Sequence, residues 1–334
     1  MEGKDRPIFI IGTERSGTNL LRVILNQHPH IHVPHPPHIH KNFYPLLSQY
    51  GDLKQKPNFL RLAKDVVRSV LWHFYPWELS INVEELIANI PTPTLNSLFF
   101  AIYDESLKVS SKSRWCCKST FVIHHVESLL NDRPDSQFIF MVRDGRDVAV
   151  SAKKSVFNHF HTHYIAQLWQ KEQRLGLDLL KKFPEKIYLL RYEKLISSPI
   201  SEIERLCQFL GESYNSEMMD YPKSKEARKS SQLSDSWKNT GQEVLSNNQK
   251  KYLKELAPWE IALFEKIAGA ELQELDYSME TSTDFDSDLA PSFGARVSES
   301  FYSLYFPLLA VFRDKNGWLR LRQKLFVSAL RWLR

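Results

Sequence analysis

The sequence has few cysteines, no long apolar run and only a modest net charge. Its 334 residues include three cysteines (Cys116, Cys117 and Cys207), and two of these are adjacent, so no disulfide framework is expected. No apolar run reaches the ~20 residues of a membrane-spanning helix. The net charge of +5 is modest and does not by itself indicate nucleic-acid binding. With 43% hydrophobic residues, the chain can bury the core of a globular enzyme.

The sequence also lacks the usual frames of a designed metal site and of a secreted protein. It has neither a Cys-x-x-Cys pair nor an H-E-x-x-H segment. Six of its twelve histidines lie between residues 28 and 40, but such tracts also bind metal adventitiously, so we expect no metal requirement. The first predicted strand begins near residue 7, which leaves no room for a signal peptide. These features predict a cytoplasmic protein.

The most informative segment is a glycine-containing loop near the start of the chain. An isoleucine-rich run at residues 8–11 leads into the loop at residues 12–19, and an amphipathic pattern follows at once. This order predicts a strand, an anion-binding loop and a helix, because the backbone N–H groups at a helix N-terminus attract anions and glycine allows close approach.

The loop departs from the nucleoside-triphosphate pattern G-x-x-x-x-G-K-[ST]. Gly12 and Gly17 keep the spacing, but Thr18 replaces the phosphate-binding lysine and Asn19 replaces the hydroxyl that holds Mg²⁺. A cation is present instead inside the loop, at Arg15. The loop therefore suits a donor with a single 5′-phosphate group and no metal better than it suits ATP.

A second segment favours the same chemistry. Residues 136–142 predict a buried strand, Arg143 follows at its end, and Ser151 comes eight residues later, about two helical turns on. The arginine fork and the serine hydroxyl suit phosphate. Charged residues between them, Asp144, Arg146 and Asp147, fit a functional role and a helix-capping role equally well.

Together the two segments resemble the sulfotransferases that use 3′-phosphoadenosine 5′-phosphosulfate (PAPS), of the bacterial type. In that family an R-S-G-T loop binds the 5′-phosphosulfate and an R-x-x-[RK]-D-x-x-x-S segment binds the 3′-phosphate; both are present here. Residues 190–195, 209–211 and 236–239 are similar to weaker family segments, so the resemblance covers about residues 7–277. It implies PAPS as donor, no metal, and the donor-binding residues Arg15, Ser16, Gly17, Thr18, Asn19, Arg143, Ser151, Tyr192, Trp237 and Lys238.

The resemblance also implies catalytic groups. Arg15 and Lys118 are candidates to meet the charge that grows on the bridging oxygen, although Lys118 is read equally well as a solvated loop lysine. The histidine of the K-T-H segment found in relatives is replaced by Thr120, and the glutamate of protein-tyrosine members is absent. We therefore expect His35 or His38 to be the base, with Glu14 as a further candidate, and activity to rise with deprotonation near neutral pH; each histidine alone is also read as a packing residue.

The expected fold is α/β, a parallel central sheet flanked by helices (the P-loop-like sulfotransferase fold), with helical insertions and a C-terminal helical tail. Strands are predicted at 7–12, 114–118, 136–142 and 186–191. The main helices are predicted at 17–28, 57–75, 82–90, 93–109, 160–182, 200–210, 246–254 and 257–274. Domain boundaries are expected at 1–277 for the catalytic domain, 278–294 for a linker and 295–334 for the tail.

The tail is rich in cations and apolar residues and has no acidic residue from Trp318 to Arg334. Two interpretations stay open. Residues 313–334 form an amphipathic helix on an anionic membrane, which would place the protein at the inner face of the membrane beside a carbohydrate or lipid-linked acceptor, or they pack on the catalytic domain. Alternatives to a sulfotransferase are a P-loop kinase or hydrolase and a silent nucleotide-binding protein associated with membranes.

Overall fold

The computed structural model describes residues 6–155, 159–233, 240–281 and 316–332, with residues 294, 297 and 301 besides. Five parallel strands form one sheet in the order β2-β3-β1-β4-β5. The strands are β1 (Ile8–Gly12), β2 (Ile31–His32), β3 (Arg114–Lys118), β4 (Gln137–Val142) and β5 (Ile187–Arg191).

Helices cover both faces of this sheet, as a parallel sheet requires. The helices are α1 (Thr18–Leu25), α2 (Ile39–Phe43), α3 (Lys56–Leu71), α4 (Val83–Ala88), α5 (Leu95–Lys108), α6 (Val126–Asp132), α7 (Gly145–Lys153), α8 (Thr162–Lys182), α9 (Tyr192–Ser197), α10 (Pro199–Leu210), α11 (Lys225–Leu233), α12 (Tyr252–Glu255), α13 (Pro258–Glu274) and α14 (Gly317–Trp332). Short 3₁₀ helices occur at Tyr44–Tyr50, Thr120–His125 and Ser216–Lys223.

Successive side chains along β1 point to opposite faces of the sheet, and so they pack into two separate parts of the core. Phe9 and Ile11 pack into the larger apolar cluster on one face, whereas Ile8 and Ile10 pack into a second cluster on the other face. All five residues of β1 are buried. The carboxyl ends of β1, β3, β4 and β5 consequently open at one edge of the sheet, where Gly12, Lys118, Arg143 and Tyr192 follow.

The four predicted strands are confirmed, and so is the α/β fold with its C-terminal helix. The helix predicted at 246–254 is wrong, because only Tyr252–Glu255 is helical there. Residues 28–56, for which the sequence analysis predicts neither a strand nor a helix beyond residue 28, contain β2, α2 and a 3₁₀ helix. Most of the proposed linker at 278–294 lies outside the described residues, so the domain boundaries stay predictions.

The helix of the tail, α14, packs against α3. The ring of Phe326 lies 5.6 Å from that of Trp72, and Arg322 Nη2 donates to the Trp72 carbonyl oxygen at 3.1 Å. The described residues thus fit the packed interpretation of this segment. No helix in the described part of the chain combines the length and the apolar character that crossing a bilayer needs.

Candidate functional site

The loop between β1 and α1 has a backbone that its glycines make possible. Gly12 and Gly17 have φ values of 131° and 89°, and Arg15 has a φ of 74°. A Cβ atom on Gly17 would lie 2.3 Å from the ring of Tyr192, and one on Gly12 would lie 2.3 Å from the Met141 carbonyl oxygen. The loop is therefore held tightly between the ends of β4 and β5.

Two polar side-chain groups at this loop are buried without a hydrogen-bond partner among the described residues. These groups are Ser16 Oγ and Asn19 Nδ2. The Asn19 amide is oriented by Arg22, whose Nε donates to Asn19 Oδ1 at 2.8 Å. Arg22 is itself fixed by Glu226 at 2.6 Å. Buried donors without partners are costly, so their presence at a helix N-terminus indicates a site built for an anion.

The segment that begins at Arg143 and ends at Ser151 contacts this loop directly. Arg15 Nε donates to Ser151 Oγ at 3.1 Å, and Arg143 Nη1 donates to the Arg15 carbonyl oxygen at 3.2 Å. Nε of Arg143 has no hydrogen-bond partner among the described residues. The structure thus brings together the three residues that the sequence placed in one anion site.

Tyr192 and Asn248 both contact Arg143. The sequence analysis missed Asn248. The Arg143 guanidinium carbon lies 4.5 Å from the Tyr192 ring centroid, a cation–π geometry. Asn248 accepts at its backbone oxygen from Arg143 Nη2 at 3.1 Å, and its Nδ2 donates to Tyr192 Oη at 2.6 Å. Asn248 lies in an irregular segment with no motif to reveal it. Trp237 and Lys238 lie outside the described residues.

The charged residues after Arg143 have structural roles. Asp144 Oδ1 accepts from the Arg146 backbone N–H at 2.9 Å, which caps α7, and Arg146 Nη2 donates to Asp144 Oδ2 at 2.8 Å. Asp147 Oδ1 accepts from the Tyr252 backbone N–H at 3.0 Å. Helix capping and packing on α7 thus explain Asp144 and Arg146, whereas Asp147 also lies 3.6 Å from Arg143 Nη2 and lines the cleft.

Lys118 lies at the end of β3 and lines the same cleft, with its side chain 9% exposed. It is not a solvated loop residue. Burial, together with the Arg22 cation, lowers the pKa of Lys118 to about 8. Burial likewise lowers the pKa of Arg15. The site consequently holds two desolvated cations whose charge is poorly compensated by the protein.

His35 and His38 both line the cleft. Burial and the neighbouring Arg22 hold the pKa of His35 well below its usual range, and burial with Lys41 does the same for His38. Both imidazoles are therefore neutral at pH 7, and the protonation change expected near neutral pH moves to more acidic values. Ser119 Oγ lies 3.5 Å from His38 Nδ1. Glu14 forms an ion pair with Lys41 at 3.0 Å.

The sequence analysis missed a cluster beside these histidines. The ring of His35 lies 5.2 Å from that of His73 and 5.1 Å from that of Phe74. His73 and Phe74 both line the cleft, although they belong to the segment that follows α3. No local signal marks them, since their role depends on a contact across about forty residues of chain.

Most of these groups line one cleft with a volume of about 890 Å³, large enough for a nucleotide and a second molecule. The described residues also bring possible metal ligands together at His28, His30 and Glu212, within 4.8 Å of one another. None of these three lines the cleft. The described residues that line the cleft include cations, hydroxyls, imidazoles and three carboxylates.

Residues 7–216 match the profile described as the sulfotransferase family. Protein-tyrosine sulfotransferase A of Caenorhabditis elegans is 23% identical over 209 residues, which are 61% of this chain and 49% of that protein. The match thus spans about half the length of this curated relative.

Two solved structures share the fold. The sulfotransferase domain of the Synechococcus PCC 7002 olefin synthase is 17% identical, with a TM-score of 0.57 over 83% of this chain and 97% of that one. A sulfotransferase domain from the curacin biosynthetic pathway is 16% identical, with a TM-score of 0.55 over 82% of this chain and 99% of that one.

Proposed function

The chain belongs to the sulfotransferase family, and we propose that it transfers a sulfuryl group from PAPS to a hydroxyl or amine of an acceptor such as a carbohydrate or a lipid-linked compound. The observation that carries this proposal is the meeting of Arg15, Ser151 and Arg143 at a loop that has no lysine for a triphosphate. Such a loop suits a donor with two separate phosphate positions.

The residues present fit the donor. The backbone of residues 16–19, with the unpartnered Ser16 Oγ and Asn19 Nδ2, would hold the 5′-phosphosulfate. Arg143, whose Nε is unpartnered, and Ser151 would hold the 3′-phosphate. Tyr192 fixes the Arg143 guanidinium by its ring face. The family segment at Trp237 and Lys238 is included in this proposal on sequence alone.

Catalysis in this proposal is positioning with electrostatic stabilisation. The acceptor oxygen forms a bond to sulfur while the bond from sulfur to the bridging phosphate oxygen breaks, and both bonding electrons leave with that oxygen. Arg15 and Lys118 are the cations that would meet the new charge. Their burial strengthens that interaction, because the surrounding dielectric is low.

The proton of the acceptor hydroxyl needs a base. His35 and His38 are the proposed bases, since both line the cleft as neutral imidazoles and can accept a proton without first losing one. Lys118 is among the charges that lower the pKa of both rings. Glu14 is the weaker candidate because Lys41 already neutralises its carboxylate.

Calorimetric titration with adenosine 3′,5′-bisphosphate without Mg²⁺, beside a titration with Mg-ATP, tests the donor. We expect tight bisphosphate binding, weak ATP binding and a loss of at least about tenfold in bisphosphate affinity in Arg143→Ala. Arg205→Ala, an exposed arginine on α10, is the matched control and should bind normally. Binding of Mg-ATP without binding of the bisphosphate would replace the proposal with a P-loop kinase or hydrolase.

A further inference from the structure

Helix α14 forms part of the cleft beside the proposed acceptor bases. The Arg320 guanidinium carbon lies 3.7 Å from the Phe74 ring centroid, and the Phe74 ring lies 5.1 Å from that of His35. Burial lowers the pKa of His73 to about 4 against the opposing effect of its backbone hydrogen bond with Tyr75, and the Arg320 cation lowers it further. This part of α14 consequently borders the acceptor end of the cleft rather than the donor phosphates alone.

One face of α14 is directed at the cleft. Arg320, Lys324, Val327 and Arg331 are spaced at three, four and seven residues, and all line the cleft. The opposite side carries Trp318 and Leu325, which are largely exposed. We call the cations at 320, 324 and 331 the α14 basic face.

Two of the three cations of this face, Lys324 and Arg331, are not balanced locally. Neither the Lys324 ammonium nor the Arg331 guanidinium forms an ion pair with a carboxylate among the described residues. Two other cleft cations do form ion pairs, since Lys41 pairs with Glu14 and Lys154 pairs with Glu255. A cleft lined by cations without partners concentrates anions.

The proposed donor contacts do not include the cations of α14. Cleft-lining residues include nine cations but only three carboxylates (Arg15, Lys41, Lys118, Arg143, Lys154, Lys251, Arg320, Lys324 and Arg331 against Glu14, Asp147 and Glu243). The donor-binding proposal uses Arg15, Lys118 and Arg143. The family match ends at residue 216, so α14 is a feature of this chain beyond the matched region.

From these observations we propose that the acceptor carries an anionic group, a phosphate or a carboxylate, and that the α14 basic face binds it. The inference rests on the proposed sulfotransferase function and defines its acceptor class. Binding the anion on α14 would hold the acceptor hydroxyl toward Lys118 and the two histidines, and the aromatic face of Phe74 offers an apolar contact between the two ends.

A pair of soluble probes tests the charge requirement. 4-Hydroxyphenylacetate and the neutral 4-hydroxyphenylacetamide are titrated into protein saturated with adenosine 3′,5′-bisphosphate. We expect the carboxylate to bind at least about tenfold more tightly, and the preference to disappear in the double variant Lys324→Gln, Arg331→Gln. The double variant Lys54→Gln, Lys56→Gln removes two exposed charges away from the cleft and should keep the preference.

A second arm distinguishes a soluble acceptor from a lipid headgroup. Phosphatidylglycerol vesicles are sedimented with the bisphosphate-loaded protein, beside phosphatidylcholine vesicles. Co-sedimentation with the anionic vesicles that is lost in the α14 double variant assigns the anion to a headgroup, whereas probe preference without co-sedimentation assigns it to a soluble acceptor. If neither measurement responds to the α14 charges, the inference is wrong.

Bisphosphate affinity separates this inference from the function on which it rests. An α14 double variant that binds the bisphosphate normally is folded, so its loss of probe preference reports on the acceptor end. Failure of the parent protein to bind the bisphosphate would overturn the proposed function. Normal bisphosphate binding with equal affinity for both probes and no vesicle binding would overturn the anionic-acceptor inference alone.

Discussion

Arg15 Nε donates a hydrogen bond to Ser151 Oγ at 3.1 Å across 136 residues of sequence. The contact joins the loop after β1 to the helix after β4, two strands that are neighbours in the sheet. Because each residue lies beyond the carboxyl end of its strand, parallel pairing of β1 and β4 is sufficient to bring them together. A bound anion at this point would touch groups from both motifs.

Removing the Ser151 hydroxyl should weaken donor binding without disturbing the fold. In Ser151→Ala we expect affinity for adenosine 3′,5′-bisphosphate to fall about tenfold, because one hydrogen bond to a charged phosphate is lost and Arg15 loses its anchor. Calorimetry measures this change. Ser201→Ala, on the exposed side of α10, should bind as the parent does, and an unchanged affinity in Ser151→Ala would remove this serine from the donor site.

Gly17 should not tolerate even the smallest side chain. Its φ of 89° disfavours other residues, and a Cβ would lie 2.3 Å from the Tyr192 ring. We expect Gly17→Ala to lose about 1–3 kcal/mol of unfolding free energy and most bisphosphate affinity. Gly269→Ala is the control, since its Cβ would meet only the end of the Met279 side chain, at 3.3 Å. Equal melting temperatures for the two variants would contradict the packing described here.

The residues at one end of the cleft can be identified from the sequence, whereas those at the other end cannot. The proposed donor end follows from local sequence, since Arg15 and Arg143 each belong to a short motif that directly follows a buried strand. The acceptor end does not, because His73 and Phe74 are brought beside His35 by packing of the insertion around α3. Helix α14 was recognised as amphipathic from sequence, yet its position at the cleft depends on a contact between Phe326 and Trp72.

Activity should fall at alkaline pH because Lys118 loses its proton. Burial lowers the pKa of Lys118 to about 8, so its positive charge is present below that pH and is lost as the pH rises through it. We expect kcat/KM for the donor to be nearly flat from pH 6 to 7.5 and to fall above about pH 8. The two buried histidines add no rise near pH 7, because burial keeps the pKa of each well below 6.5.

Lys118→Arg tests the assignment of this alkaline limb. Arginine keeps its charge at all these pH values, so the fall above pH 8 should disappear even if the rate is lower at every pH. Lys171→Arg is the control; Lys171 is an exposed lysine on α8, and its replacement should leave the profile of the parent unchanged. An alkaline limb that persists in Lys118→Arg would assign it to another group.

Glu172, beside Thr13 of the loop between β1 and α1, should make the stability of the fold depend on pH. The Gln173 side chain donates to Thr13 Oγ1 at 2.9 Å, and a hydrogen bond with the Thr13 side chain partly offsets the effect of burial on Glu172. Burial still raises the pKa of Glu172 from 4.5 to about 7. Since the folded state favours the protonated carboxyl, ionisation costs stability that is fully present below pH 4.5 and is lost as the pH rises through 7.

Glu172→Gln removes this ionisation while keeping an acceptor for the Thr13 hydroxyl. We expect the variant to be more stable than the parent at pH 8, by up to about 3 kcal/mol, and to differ little from it at pH 4.5. Denaturant unfolding at the two pH values measures the difference. Glu204→Gln, at an exposed position on α10, should show no such pH dependence. If Glu172→Gln changes stability equally at both pH values, folding does not shift the pKa of this carboxyl, and the prediction is wrong.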